Sequence, residues 1–233
     1  MLQQSLKIRR VSEVALSTNL HAPRVLPVIV LADISGSMAE HAKIETVNLA
    51  MREMLGALAS VAEPEVEVRV AIISFGGDIA RLHTPLTPPD PMGWEDLTAN
   101  GGTPLGAALD ELVKLTENRT VLPANAFVPT ILLISDGHPT DNFDSALARF
   151  GKAVVGNSSV RLALRIGPDA NEVVLGQFTG DSNAVLAASD AADISRHFQF
   201  VTYTVMSRAK SSAQGTTDMP TLRQFGTISG PRF

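Results

Sequence analysis

The 233-residue chain has no cysteine, so neither disulfides nor thiolate metal ligands are available to it. Any metal would be held by oxygen or by the five histidines. The absence also fits a reducing cytosol. Charge is sparse: Asp, Glu, Lys and Arg make up 18% of residues and the net charge is -5, which leaves no basic footprint for a nucleic acid. No apolar run reaches the ~18 residues of a membrane span. The opening Met1-Leu2-Gln3-Gln4-Ser5-Leu6-Lys7-Ile8-Arg9-Arg10 lacks the uninterrupted apolar core of a signal peptide. No phosphate loop of the GxxxxGK[ST] type occurs, which argues against nucleotide binding. The expectation is a cytoplasmic protein that meets neither nucleic acid nor membrane.

What the chain does have is enough apolar content, 45%, to bury a full core in one domain. Val25 to Ala32 and Pro129 to Ser135 are near-continuous apolar runs, as in strands buried on both faces. Val66 to Phe75 begins alternating and turns apolar. Gly76-Gly77-Asp78 then reads as a hairpin turn into a strand over Ile79 to His83. Val160 to Ile166 and Ala184 to Ala188 read as further strands. Helical periodicity covers Lys43 to Val61, the stretch after Thr103-Pro104, Phe143 to Ala153, Asn171 to Phe178 and Asp190 to Phe198. Thr84 to Pro91 is proline-rich and reads as a surface loop.

Strands alternating with helices imply a doubly wound, Rossmann-like α/β fold. Its central sheet should be mostly parallel, with one antiparallel edge strand and helices on both faces. Residues 1–23 read as an N-terminal arm and 24–206 as the folded domain. Residues 207–233, polar and weakly periodic, read as a flexible tail.

Ligands of such sheets bind beyond the carboxyl ends of the strands, where strand order reverses. Three segments should deliver oxygen donors there: Asp33-x-Ser35-x-Ser37, Gly101-Gly102-Thr103-Pro104-Leu105-Gly106 and Ser135-Asp136-Gly137-His138-Pro139-Thr140-Asp141. Each alone has an ordinary reading as a helix cap, a helix start or a turn. Together they supply two carboxylates and three hydroxyls, a donor set for a hard divalent cation. So few charges leave the ion electropositive, with a coordination position for an incoming acid.

These residues resemble the metal-ion-dependent adhesion site (MIDAS) of von Willebrand factor A domains. The resemblance covers roughly residues 24 to 200 and implies a metal site of Asp33, Ser35, Ser37, Thr103 and Asp136. Ser35, Ser37 and Thr103 would contact the ion through hydroxyl oxygens, and Asp33 and Asp136 directly or through bound water. Magnesium is the implied ion, with calcium or manganese as substitutes.

A narrower likeness, carried by Asp33 to Met38, Ile73-Ser74-Phe75, Gly101 to Gly106 and Ser135 to Asp141, is to bacterial TerY-type proteins of tellurium resistance. It implies a stress-response assembly with a protein kinase and a PP2C-type phosphatase as partners. Many members carry an acidic residue where His138 stands here. They also commonly extend into a cysteine-bearing module, so this chain would be a short form.

The leading functional expectation is a non-enzymatic module that binds a protein partner's Asp or Glu through the metal. One alternative is a magnesium-dependent phosphohydrolase with Asp33 as nucleophile. It lacks a second acid at the alternate position, where Ser35 stands, and Lys43 is the nearest lysine by sequence. Another is a structural subunit whose metal only orders loops. Four residues stay open: His138 as exposed loop residue or ligand, His83 as solvent-facing strand end, Asp141 as cap or acceptor for the site's waters, and Trp94 as core plug or cover beside the site.

Overall fold

A computed structural model describes residues 22–136, 138–168 and 170–213. The arm read over 1–23 and the tail beyond 213 lie almost wholly outside the described residues. Six strands and six helices follow one another among the described residues: β1 (Arg24–Asp33), α1 (Lys43–Ala59), β2 (Val66–Gly76), β3 (Ile79–Thr87), α2 (Leu105–Glu117), β4 (Thr130–Ser135), α3 (Phe143–Phe150), α4 (Val154–Ser158), β5 (Val160–Ile166), α5 (Glu172–Thr179), β6 (Val185–Ala188) and α6 (Ala191–Ala213), with a kinked 3-10 segment, Gly36–Ala42, ahead of α1 and a short 3-10 turn, Ser182–Ala184, ahead of β6.

The sheet order is β3-β2-β1-β4-β5-β6. All neighbours pair in parallel except the β2–β3 hairpin, so β3 is the antiparallel edge. From β1 the chain moves outward through β2 and β3, then returns to add β4, β5 and β6 on the other side. The switch point therefore lies between β1 and β4.

Both faces of the central strands are covered, which explains their unbroken apolar runs. Leu26, Val28, Val30 and Ala32 of β1 pack with α1 and α6, while Ile29 and Leu31 pack with α2 and α3 on the opposite face. β4 divides in the same way, Leu132 and Ile134 against Ile131 and Leu133. Full burial of each such side chain is worth about 1.5–3 kcal/mol, so this pattern dominates the choice of register.

The structure departs from the periodicity in three places. β3 continues to Thr87, through the stretch read as a loop. Pro85 is tolerated because β3 is an edge strand and the β2–β3 register shifts between Val70/Thr87 and Ile72/Thr84. The helix read over Phe143 to Ala153 stops at Phe150, and α4 follows as a separate turn. A Cβ at Gly156 would lie 2.0 Å from the Phe150 carbonyl oxygen, so α4 folds back closely on the end of α3.

Finally, α6 runs to Ala213, fifteen residues beyond Phe198 and into the segment read as tail. Ile194, Phe198, Val201, Val205 and Ala209 form its buried stripe. Arg208 anchors its end by donating to the Val128 carbonyl (2.6 Å) and to the Thr130 hydroxyl.

Leu133→Ala should lower stability by about 2–5 kcal/mol, read as a drop in urea midpoint at unchanged slope, because Leu133 is fully buried between β1 and β5 neighbours.

Candidate metal centre

β1 carries Asp33 to the switch point, and its carboxylate is almost fully buried. One oxygen, Oδ1, accepts the Ser35 amide at 2.8 Å in a tight local turn. The other, Oδ2, accepts the Ser135 hydroxyl at 2.5 Å from the last residue of β4. Each oxygen keeps a further lone pair. Ser35 Oγ lies 3.1 Å from Ser37 Oγ, and Ser37 Oγ donates to Asp136 Oδ2. Four of the five residues read as ligands from the sequence thus form one connected cluster.

Thr103 is buried at the same rim and is placed by its backbone. The Gly36 amide donates to the Gly101 carbonyl (2.8 Å), and the Asn100 amide to the Ile34 carbonyl (2.6 Å). The Gly77 amide donates in turn to Asn100 (3.0 Å). Such close approach needs glycine: Gly101 has φ +61°, and a Cβ there would meet the Gly77 Cα at 2.5 Å. On the other side, Thr103 and Thr140 exchange bonds. The Thr140 amide donates to the Thr103 carbonyl and the Thr103 amide to the Thr140 hydroxyl, both at 2.9 Å.

Three residues matter here that the motif alone did not mark as contributors. Ser135 orients Asp33, and Thr140 holds Thr103. Lys43 donates from Nζ to the Ser37 carbonyl at 3.2 Å. The nearest lysine by sequence therefore does stand beside the cluster, because the 3-10 segment turns the start of α1 back toward it.

The residues left open also find places. Asp141 caps α2 rather than the helix that follows it, accepting the Gly106 amide at 2.9 Å and the Ala107 amide at 2.8 Å. Asn142 caps α3 by accepting the Ser145 amide. Trp94 is a core plug, with its indole N–H donating to Asp96 at 3.0 Å. His83 is half-buried against the Trp94 ring, 5.3 Å between centroids, instead of facing solvent. His138 is exposed. Asn48, a polar residue inside the apolar stripe of α1, is buried and exchanges two 2.9 Å bonds with the Leu97 backbone, pinning the long loop before Thr103.

The electrostatics call for a cation. Burial pushes the Asp33 carboxyl up to about 6, partly offset by the hydrogen bonds from Ser135 and Ser35, with the neighbouring Asp136 raising it further. Asp136 Oδ1 is buried and accepts no hydrogen bond from the described residues. An orphaned carboxylate oxygen costs free energy unless something positive meets it. Among the described residues no three His, Cys, Asp or Glu side chains come together, so an ion here would lean on hydroxyls as well as on the two carboxylates. Hard oxygen donors with low total charge fit magnesium or a similar divalent ion.

Comparison with known proteins bears on the fold that carries this cluster. A family model described as von Willebrand factor type A domain matches residues 28–138, the span from β1 to the loop after β4. The fold is that of a von Willebrand factor A domain. A type A domain from Catenulispora acidiphila superposes with a TM-score of 0.62 at 23% identity, covering 79% of this chain and 43% of that one. Proximal thread matrix protein 1 from the mussel byssus, in a form with a zinc-occupied MIDAS motif, gives 0.61 at 14% identity, over 78% of this chain and 48% of that one. The manganese-loaded TRAP protein of Plasmodium vivax gives 0.54 at 17%, over 73% and 71%. The chain thus spans less than half the length of the first two. No curated protein sequence matches it significantly.

Two outcomes are expected. Asp33 sits above its ordinary value of 3.8, so the stability it contributes to the metal-free fold is complete below that pH and is lost as pH rises through about 6. Magnesium should therefore stabilise the protein more at pH 7.5 than at pH 5, in thermal melts with and without the ion. Equal gains at both values would contradict the cluster as the binding site. Thr140→Val, which removes the acceptor for the Thr103 amide, should weaken magnesium binding by about tenfold in calorimetry while the circular dichroism spectrum stays unchanged.

Proposed function

We propose that the chain is a metal-dependent docking module for an acidic residue of a protein partner. Ser35, Ser37 and Thr103 would hold magnesium by their hydroxyls, with Asp33 and Asp136 contributing directly or through water. The buried Oδ1 of Asp136, unpartnered among the described residues and set within a cluster of oxygen donors, carries this reading. When bound, the ion supplies an electropositive coordination position that a partner's Asp or Glu fills. The chain's own residues orient the donors: Ser135 and the Ser35 amide fix Asp33, Ser37 fixes Asp136, and Thr140 and the loop glycines fix Thr103. Metal-loaded relatives of the same fold, one with zinc and one with manganese, support a divalent ion at this position.

By its resemblance to TerY-type proteins we place this docking in a bacterial stress-response assembly in the cytoplasm. A protein kinase and a PP2C-type phosphatase are the proposed partner classes. No helix among the described residues is long and apolar enough to cross a membrane.

The phosphohydrolase reading gains one observation, the amine of Lys43 beside Ser37. It still lacks the second acid two residues after Asp33, where Ser35 stands. Hydrolysis of p-nitrophenyl phosphate that requires magnesium and disappears in Asp33→Asn would establish it in place of docking.

The docking reading is tested by affinity capture from native cytosol with magnesium and with EDTA. Ser35→Ala and Thr103→Ala are expected to lose the partners that EDTA removes, with the fold retained by circular dichroism. Partners that persist in EDTA and in both variants would sink the proposal. Loss of melting temperature on chelation, with no change in capture, would instead assign the ion a purely structural role.

A further inference from the structure

A cavity of about 370 Å³ opens beside the metal cluster at the carboxyl ends of β5 and β6. Its floor is apolar, made by the buried side chains of Ile166, Ala188 and Ile194. Lys43 forms one wall, and Ala191, in the exposed first turn of α6, stands on the opposite rim. Asp190 also borders it, but its carboxylate accepts the Asp193 amide at 2.9 Å and so caps α6. The volume lies in the range of sites that enclose ligand groups.

Lys43 joins this cavity to the metal cluster. Its Nζ reaches the carbonyl of Ser37, whose hydroxyl donates to Asp136. It makes no ion pair among the described residues. The backbone just before it is held in an uncommon shape. His41 and Ala42 both have φ +55°, the only non-glycine residues among those described with positive φ. Such strain persists only where the surroundings over-determine it, and it collects at ligand clamps. Here it turns α1 so that Lys43 lies along Gly167 at the end of β5, where an added Cβ would sit 3.5 Å from Nζ.

We propose that this cavity is the second half of the docking surface, receiving a large apolar side chain, phenylalanine or leucine in size, next to the partner's metal-binding carboxylate. The half-buried amine of Lys43, paired with no carboxylate among the described residues, favours an acidic segment at the shared rim. Apolar floor, cationic wall and continuity with the cluster through Ser37 together select an acidic–apolar peptide over a purely acidic one. The proposal rests on the docking reading, and its test separates the two.

In the first arm, N-acetyl-phenylalanine amide is titrated into the isotopically labelled full chain in EDTA. Chemical shifts of the Ile166, Ala188 and Ile194 amides are expected to move in the wild type and not in Ala191→Trp, which fills the cavity from its rim. Ser189→Trp, from another exposed position on the rim, is expected to act alike and serves if Ala191→Trp fails to fold. In the second arm, labelled peptides carrying Glu-Phe or Phe-Glu are compared with their alanine counterparts by fluorescence anisotropy in magnesium. The phenylalanine peptides should bind at least about tenfold tighter. That advantage should vanish in either tryptophan variant, and Ser35→Ala should abolish binding of all the peptides. Absence of the amide shifts, or a phenylalanine advantage that survives both tryptophan variants, overturns the cavity's role. Shifts accompanied by peptide binding that is indifferent to magnesium overturn the link between cavity and metal, and with it the docking reading.

Discussion

Two carboxylates, Asp33 and Asp136, are held out of water at the point where strand order reverses, and much of the molecule is arranged around tolerating them. Buried like charges without a counter-ion oppose folding. The chain answers with neutral donors: the Ser35 amide and Ser135 hydroxyl on Asp33, and the Ser37 hydroxyl on Asp136. These bonds lessen the penalty and leave it incomplete, since Asp33 remains raised to about 6 and one oxygen of Asp136 has no donor among the described residues. The residual need for positive charge is what distinguishes the cluster from a well-satisfied polar core and supports the proposed metal site.

The fold supplies that arrangement cheaply. β1 and β4 are neighbours in register, Ala32 opposite Ile134, so their carboxyl ends emerge side by side. Apolar alternation across both faces locks that register, because a slip of one residue would exchange the side chains facing α1 and α6 with those facing α2 and α3. The positions of Asp33 and Asp136 are thus secured by hydrophobic packing some distance from any metal chemistry. The loop glycines then allow the segment bearing Thr103 to close over them through backbone contacts, completed by the Thr140 hydroxyl and the Asp141 carboxylate.

Much of this was readable along the chain. Runs such as Val25 to Ala32 could only be strands covered on both sides, and the oxygen donors at the ends of three successive segments pointed to one place. What escaped was non-local or disguised. Asp141 caps a helix more than thirty residues earlier in sequence, so its neighbours gave the wrong helix. Lys43 reaches Ser37 through two left-handed residues that no periodicity announces. The length of α6 was hidden by Thr202 and Thr204, whose hydroxyls turn back to the Phe198 and Phe200 carbonyls at 2.8 and 2.9 Å and so sit quietly in a buried helix. Pro85 suggested a loop where an irregular edge strand absorbs it.

The bonds that Asp141 accepts from the first turn of α2, together with the Thr103–Thr140 exchange, clamp the helix start that bears Thr103 onto Thr140 and Asp141, in the stretch that follows β4. Under the docking reading, an ion would meet Thr103 already tied to a neighbouring segment instead of carried by an independent loop. That tie lowers the conformational entropy such binding would cost. The proposed site would then suit reversible loading, with occupancy that follows the surrounding concentration of the ion.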